Sequence, residues 1–242
     1  MTQNNWEPSA AYLYVLHLDA AGLAWEYLRR NPAYRETWHQ SGTASCQAQQ
    51  WGLSFLEDPD LDARQARPTW RIGARRTIEL VPLPDPAAHV LDLWAIAGRK
   101  SLVDDGQRQW LYGECGRELV ALTLSPDLQD GAPFAYAIPA GVEPARYRFT
   151  LEAALTLLQR ARASTPAALA RPSRTAMTHM RALQAIDGVH AGASQRRIAT
   201  VLFGEAEITA RWHPDSELRA QLRYLVRRGR GLMEGRYRAL LA

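Results

Sequence analysis

Residues 192–204 read Gly-Ala-Ser-Gln-Arg-Arg-Ile-Ala-Thr-Val-Leu-Phe-Gly, and residues 217–233 read Glu-Leu-Arg-Ala-Gln-Leu-Arg-Tyr-Leu-Val-Arg-Arg-Gly-Arg-Gly-Leu-Met. The first stretch has the form of a short capped helix. Ser194 is placed to accept from the free amides of a first turn, and Gly204 follows the last apolar residue. Ala199 between Ile198 and Leu202 permits close helix contact, the pattern of the supporting helix of a helix-turn-helix. The second stretch starts after Pro214 with Asp215 or Ser216 as its cap. At about 100° per residue, Leu218, Leu222, Leu225, Gly229 and Leu232 share one face, with Val226 and Met233 at its margin. Arg219, Arg223, Arg227 and Arg230 form a stripe beside that face, and Tyr224 and Arg228 lie on the other flank.

Four like charges on one helical line repel by a few tenths of a kcal/mol per pair (~0.2–0.5), and no acid at i+4 relieves Arg223 or Arg227. An anionic partner would relieve them, and each arginine set on a phosphate releases a counterion. The stripe therefore predicts DNA as the ligand, on a helix that follows a supporting helix as a recognition helix does. The connection from Glu205 to Asp215 exceeds the usual three or four residues and reads as a wing-like or extended loop.

Charge along the chain points the same way. Of the 29 basic residues, 28 are arginine and one, Lys100, is lysine. Residues 171–242 hold 13 basic and 6 acidic side chains, net +7, whereas residues 1–170 hold 16 and 19, net −3. A basic module at one end of a chain points to nucleic acid or another anionic surface. Cys46 and Cys115 stand 69 residues apart with no Cys-x-x-Cys, so neither a disulfide scaffold nor a zinc finger is expected, and a reducing cytoplasm is. The longest apolar run, Ala10 to Trp25, is broken by His17 and Asp19, and the polar start lacks a signal peptide's basic region; neither membrane insertion nor secretion is expected.

The remainder predicts an α+β protein: an N-terminal helical subdomain (1–66), a small antiparallel β middle section (67–148) and a C-terminal domain (149–242) of three helices with the helix-turn-helix. In the first, Leu13, Leu16, Leu23, Tyr27 and Leu28 recur at helical steps, Asp19 caps the segment from Ala20 to Arg30, and Pro32 opens the next helix. Trp6, Trp25, Trp38 and Trp51 predict a subdomain pinned by large aromatics, with a base-stacking surface as the alternative. Glu57 to Pro68 reads as an acidic connector. Runs at Thr77–Val81, Lys100–Val103, Gln109–Tyr112, Leu119–Leu124 and Phe134–Ile138 read as strands of a meander, turned at Asp105-Gly106 and Asp130-Gly131. An apolar stripe of Leu151, Ala154, Leu155 and Leu158 returns the chain to helix. Ser164 to Ser173 reads as a hinge, and Thr175 to Ile186 as a helix closed by Asp187-Gly188.

Two long patterns resemble a known family. Trp6-Glu-Pro with Tyr12, then Ala24-Trp25-Glu26-Tyr27-Leu28-Arg29-Arg30-Asn31-Pro32 with Tyr34, resemble the proteobacterial transcriptional regulator-like domain. Ala191 through Gly204, Trp212, and Leu218 through Met233 with Tyr237 resemble the domain of unknown function that often follows it. The resemblance implies an activator of excision and transfer of integrative and conjugative elements. It also implies partners: duplex DNA, RNA polymerase, and a small antiactivator with a similar C-terminal domain. On these helices it implies DNA contacts at Ser194, Arg196, Arg197, Ser216, Arg219, Arg223 and Arg227, to which the stripe adds Arg230.

An enzyme is the rival class. Its support is thin, since His17, His39, His89, His179, His190 and His213 stand alone and no phosphate loop or nucleophile elbow occurs. Neither cofactor nor metal is expected. The other alternative is a protein-interaction module that binds a paralogous regulator, in the manner of an antiactivator, without reading DNA.

Overall fold

In a computed structural model, the residues described are 6–41, 45–71, 77–85, 88–96, 100–104, 108–115, 118–138, 144–159 and 173–241. The chain is α+β. Its helices are α1 (Ala20–Leu28), α2 (Pro32–Ser41), α3 (Ser45–Ala48), α4 (Pro144–Gln159), α5 (Arg174–His190), α6 (Gln195–Phe203), α7 (Glu205–Arg211) and α8 (Glu217–Met233). Its strands are β1 (Ile78–Pro82), β2 (Lys100–Asp104), β3 (Gln109–Cys115), β4 (Glu118–Leu124) and β5 (Phe134–Ala137), and 3-10 turns cover Ser9–His17, Gln49–Trp51 and Arg236–Leu240.

Where the sequence predicts three consecutive domains, the contacts form two interleaved units. One gathers Met1–Gln47, Leu56–Pro68 and Ala170–Ala242; the other gathers Ala48–Phe55 and Thr69–Leu169. The expected hinge from Ser164 to Pro172 lies outside the described residues.

In the second unit the five strands fall where expected, but they do not form a meander. The order is β2-β3-β4-β1-β5, with β1 parallel to β4 (Ile78 opposite Leu122, Leu80 opposite Leu124) and antiparallel to β5. The reason is burial: β1 alternates with Ile78 and Leu80 wholly buried, so it takes an inner position, and the chain then crosses to the far edge to begin β2. Helix α4 lies close against β3, where a Cβ on Gly113 would come within 2.7 Å of Leu157. Gly131 turns the chain before β5 with φ of 85°; the Asp105-Gly106 turn lies outside the described residues.

The first unit is organised by one buried ionic group. Arg30 on the α1–α2 turn donates from Nε and Nη2 to the two carboxylate oxygens of Asp187 on α5, at 2.8 and 2.9 Å. Its Nη1 donates to Glu26, which also accepts from Arg29 Nε (2.9 Å) and the Ala63 amide (2.7 Å). Tyr12 Oη donates to Asp187 at 2.7 Å. Burial alone would raise both carboxyls, but the Arg30 charge and hydrogen bonds overcome it and hold Asp187 and Glu26 below their ordinary values.

Asp187-Gly188 therefore does not close the helix, which runs on to His190. Asp187 is spent on Arg30. Gly188 is a point of close approach, where a Cβ would stand 2.9 Å from Ile198 and 3.1 Å from Trp6. Trp6 itself packs into the core of the C-terminal helices with Ala182, Ile198, Leu202, Leu222 and Leu225.

Other contacts tie the same partners. Asn31 Oδ1 caps α2 by accepting from the Ala33 and Tyr34 amides, while its Nδ2 donates to the Met233 carbonyl at the end of α8. The acidic stretch after Glu57 is more than a connector: the Leu61 carbonyl accepts from Trp25 Nε1, and Arg35 pairs with Asp60. Leu13, expected in the apolar stripe, is half exposed because Ser9–His17 winds as a 3-10 turn.

Removing one partner of a buried pair leaves the other uncompensated, so Arg30→Ala is expected to lower stability by about 3–5 kcal/mol in a denaturant melt. Replacing the pair by apolar groups, Arg30→Met with Asp187→Leu, should recover most of that loss; no recovery would mean that Glu26 carries the cost.

His179 gives a second expectation. It is buried on α5 beside Tyr27 Oη (2.9 Å from Nδ1), with Arg228 Nη2 3.5 Å from Nε2. A guanidinium only donates, so Nε2 accepts and Nδ1–H faces the tyrosine. Burial and the Arg228 charge push its pKa down to about 4. The folded state thus binds fewer protons than the unfolded chain between about pH 6.5 and 4, and stability falls as pH drops through that window, by about 3 kcal/mol. His179→Phe should reduce the pH dependence of Tm between pH 6.5 and 4, leaving the share of His190, whose pKa burial also lowers, and the carboxylate-driven loss at lower pH.

Candidate nucleic-acid interface

Helices α5 to α8 of the first unit carry the residues singled out in the sequence. Gly192, with φ of 74°, turns the chain out of α5, and Ser194 caps α6 by accepting from the Arg197 amide at 3.2 Å. Ile198 and Ala199 are fully buried. Gly204, with φ of 94°, is at once the end of α6 and the start of α7. The stretch from Glu205 is therefore not a wing or an extended loop, because a single residue at positive φ suffices to turn one helix into the next. Glu205 and Glu207 in the first turn complement the positive end of α7, and Ile208 anchors it in the core. With one buried apolar residue in seven, this helix has no period to read.

Ser216, not Asp215, caps α8, accepting from the Arg219 amide at 3.4 Å. Leu218, Leu222, Leu225, Gly229, Leu232 and Met233 are buried as the 100° stepping predicts. Gly229 is required by contact: a Cβ there would collide with Ile186 and approach the Ala182 carbonyl to 3.2 Å. Its absence lets α8 and α5 close on each other.

The predicted contact residues then separate. The Ser194 and Ser216 hydroxyls serve as caps. Arg197 is held by Glu7, with Nε and Nη2 donating to its carboxylate at 2.8 to 2.9 Å. Arg219 is half-buried, its guanidinium carbon 5.7 Å from the centre of the Trp212 ring and its Nε buried without a hydrogen-bond partner among the described residues. Arg196, Arg223, Arg227 and Arg230 are exposed and form no ion pair among the described residues.

The last three of these line a cleft of about 670 Å³ between α8, the first turn of α6 and the turn after α5. Ile198, Leu222 and Val226 contribute apolar side chains to it. Arg236, beyond α8, adds a fourth guanidinium that the helical stripe did not reveal, and Glu234 the one acid. No cluster of His, Cys, Asp and Glu among the described residues could hold a metal ion. No helix among them is long and apolar enough to cross a membrane.

Residues 122–242 match the model of a family described as "T6SS, Transcription factor, DNA binding domain". Residues 5–56 match a second model, the "Proteobacterial transcriptional regulator-like domain". Comparison with curated proteins gives no significant match.

Core and surface of α8 should respond differently to substitution. Leu222→Ala opens a cavity where Trp6, Ile198 and Leu225 meet and is expected to cost about 2–5 kcal/mol. Arg223→Ala and Arg227→Ala, exposed and without an ion pair among the described residues, should leave Tm unchanged. A wild-type melt for Leu222→Ala would refute the helix phase.

Proposed function

The chain belongs to the family described as "T6SS, Transcription factor, DNA binding domain", and we propose that it activates the genes for excision and transfer of an integrative or conjugative element. It is a DNA-binding transcriptional regulator in which a regulator-like domain precedes a DNA-binding domain. The activator reading rests on the resemblance of both ends of the chain to such activators. RNA polymerase and a small antiactivator are its partners in that reading.

One observation supports α8 as the DNA-contacting helix. Within a domain whose family binds DNA, Arg223, Arg227 and Arg230 share one helical line with no carboxylate paired to any of them among the described residues. Such an arrangement is unfavourable until an anion arrives. Arg196 on α6 and Arg219 at the start of α8 extend the basic surface. Ser194 and Ser216 contribute by fixing the helix ends, and Arg197 by holding Glu7.

For about four phosphate contacts, log K should fall with log salt at a slope of about −3 to −4 in anisotropy titrations of the full chain on duplex DNA. A flat salt response would favour the protein-interaction reading instead. Chromatin immunoprecipitation with sequencing should place the protein upstream of excision and transfer genes. Occupancy confined to type VI secretion genes would reassign its targets.

A further inference from the structure

The arginine stripe lines a concavity, and that shape bears on what it touches. The edges of the bases lie at the floor of a major groove about 12 Å wide and 8.5 Å deep, so only a protruding element reaches them. A cleft meets the convex part of the duplex, which is the sugar–phosphate ridge. The α8 cleft has the chemistry of that ridge. Arg223, Arg227 and Arg230 stand on one wall and Arg236 beyond them, while Val226, half-buried above the core residues Ile198 and Leu222, offers an apolar surface for the carbon face of deoxyribose. The one acid among these groups, Glu234, leaves the cleft strongly positive.

We infer that the cleft seats one strand of the duplex by its sugars and phosphates, so that the stripe fixes the position of the protein on DNA without reading sequence. The inference rests on the reading of the chain as a DNA binder and adds which part of DNA this site takes. Sequence is then read from outside the cleft, where Arg196 is exposed and free of any ion pair among the described residues.

The test uses the full-length protein, a duplex selected in vitro by the wild type, and a random-sequence duplex of the same length. Arg223→Gln, Arg227→Gln and Arg230→Gln are measured by anisotropy over a salt series, with Arg64→Gln, an arginine paired to Asp62, as control. Each cleft variant is expected to lose about tenfold in affinity on both duplexes alike and to make the salt slope shallower by about 0.9, with Tm and base preference unchanged. A loss confined to the selected duplex, with preference relaxed at one base pair, would overturn the inference and leave DNA binding standing. So would unchanged affinity in all three variants. Unlabelled dAMP should displace the labelled duplex only weakly at millimolar concentration; saturable displacement at micromolar dAMP would make the cleft a site for free nucleotides. Absence of wild-type binding to either duplex would instead remove the underlying DNA reading.

Discussion

The guanidinium of Arg30, held between Glu26 and Asp187, is the contact on which the first unit depends. An isolated charge in that place would be prohibitive. With two carboxylates, a tyrosine hydroxyl and a backbone amide arranged around the group, every charged partner is matched, and the arrangement has little tolerance for displacement. It joins α1 to α5. Because α5 also packs against α8 and carries Gly188 against Ile198, the same contact sets how α6 and α8 are presented. The basic helices are thus held from behind by residues that never meet the solvent face.

This back support explains the division of labour among the arginines. Arg30 is buried and matched, Arg197 is partly exposed and matched by Glu7, and Arg223, Arg227 and Arg230 are exposed and unmatched among the described residues. The same side chain serves as core tie, surface tie or free surface cation according to the carboxylates within reach. Arginine suits all three, since it stays charged in each setting and its planar fork takes carboxylate or phosphate in the same geometry.

What could be read from the sequence was local. The five strands announce themselves by β-branched and aromatic runs between turn residues, and the faces of α8 follow from helix geometry alone. Their arrangement was not local: nothing near Ile78 says that β1 will lie between β4 and β5, because burial of the whole sheet decides it. Asp187 misled for a related reason. An acid followed by glycine after an apolar stripe has the look of a helix end, and only a partner 157 residues away makes it a core residue. Arg197 was legible as basic and surface-placed, but its partner Glu7, 190 residues distant, was not. Helix α7 escaped because its turn needs one glycine and its core contact one isoleucine.

The distance in sequence between Arg30 and Asp187 has a consequence for biosynthesis. At about 5–20 residues per second, a ribosome needs about 8–30 s to add the 157 residues that separate them. Throughout that interval α1 and Trp6 have been made but the helices they pack against have not. All of the sheet and α4 are synthesised within it and can fold first. The faces of α1 and Trp6 that meet α5 and α8 therefore stay uncovered until those helices emerge, and the arginine-bearing helices are seated only when these distant segments meet.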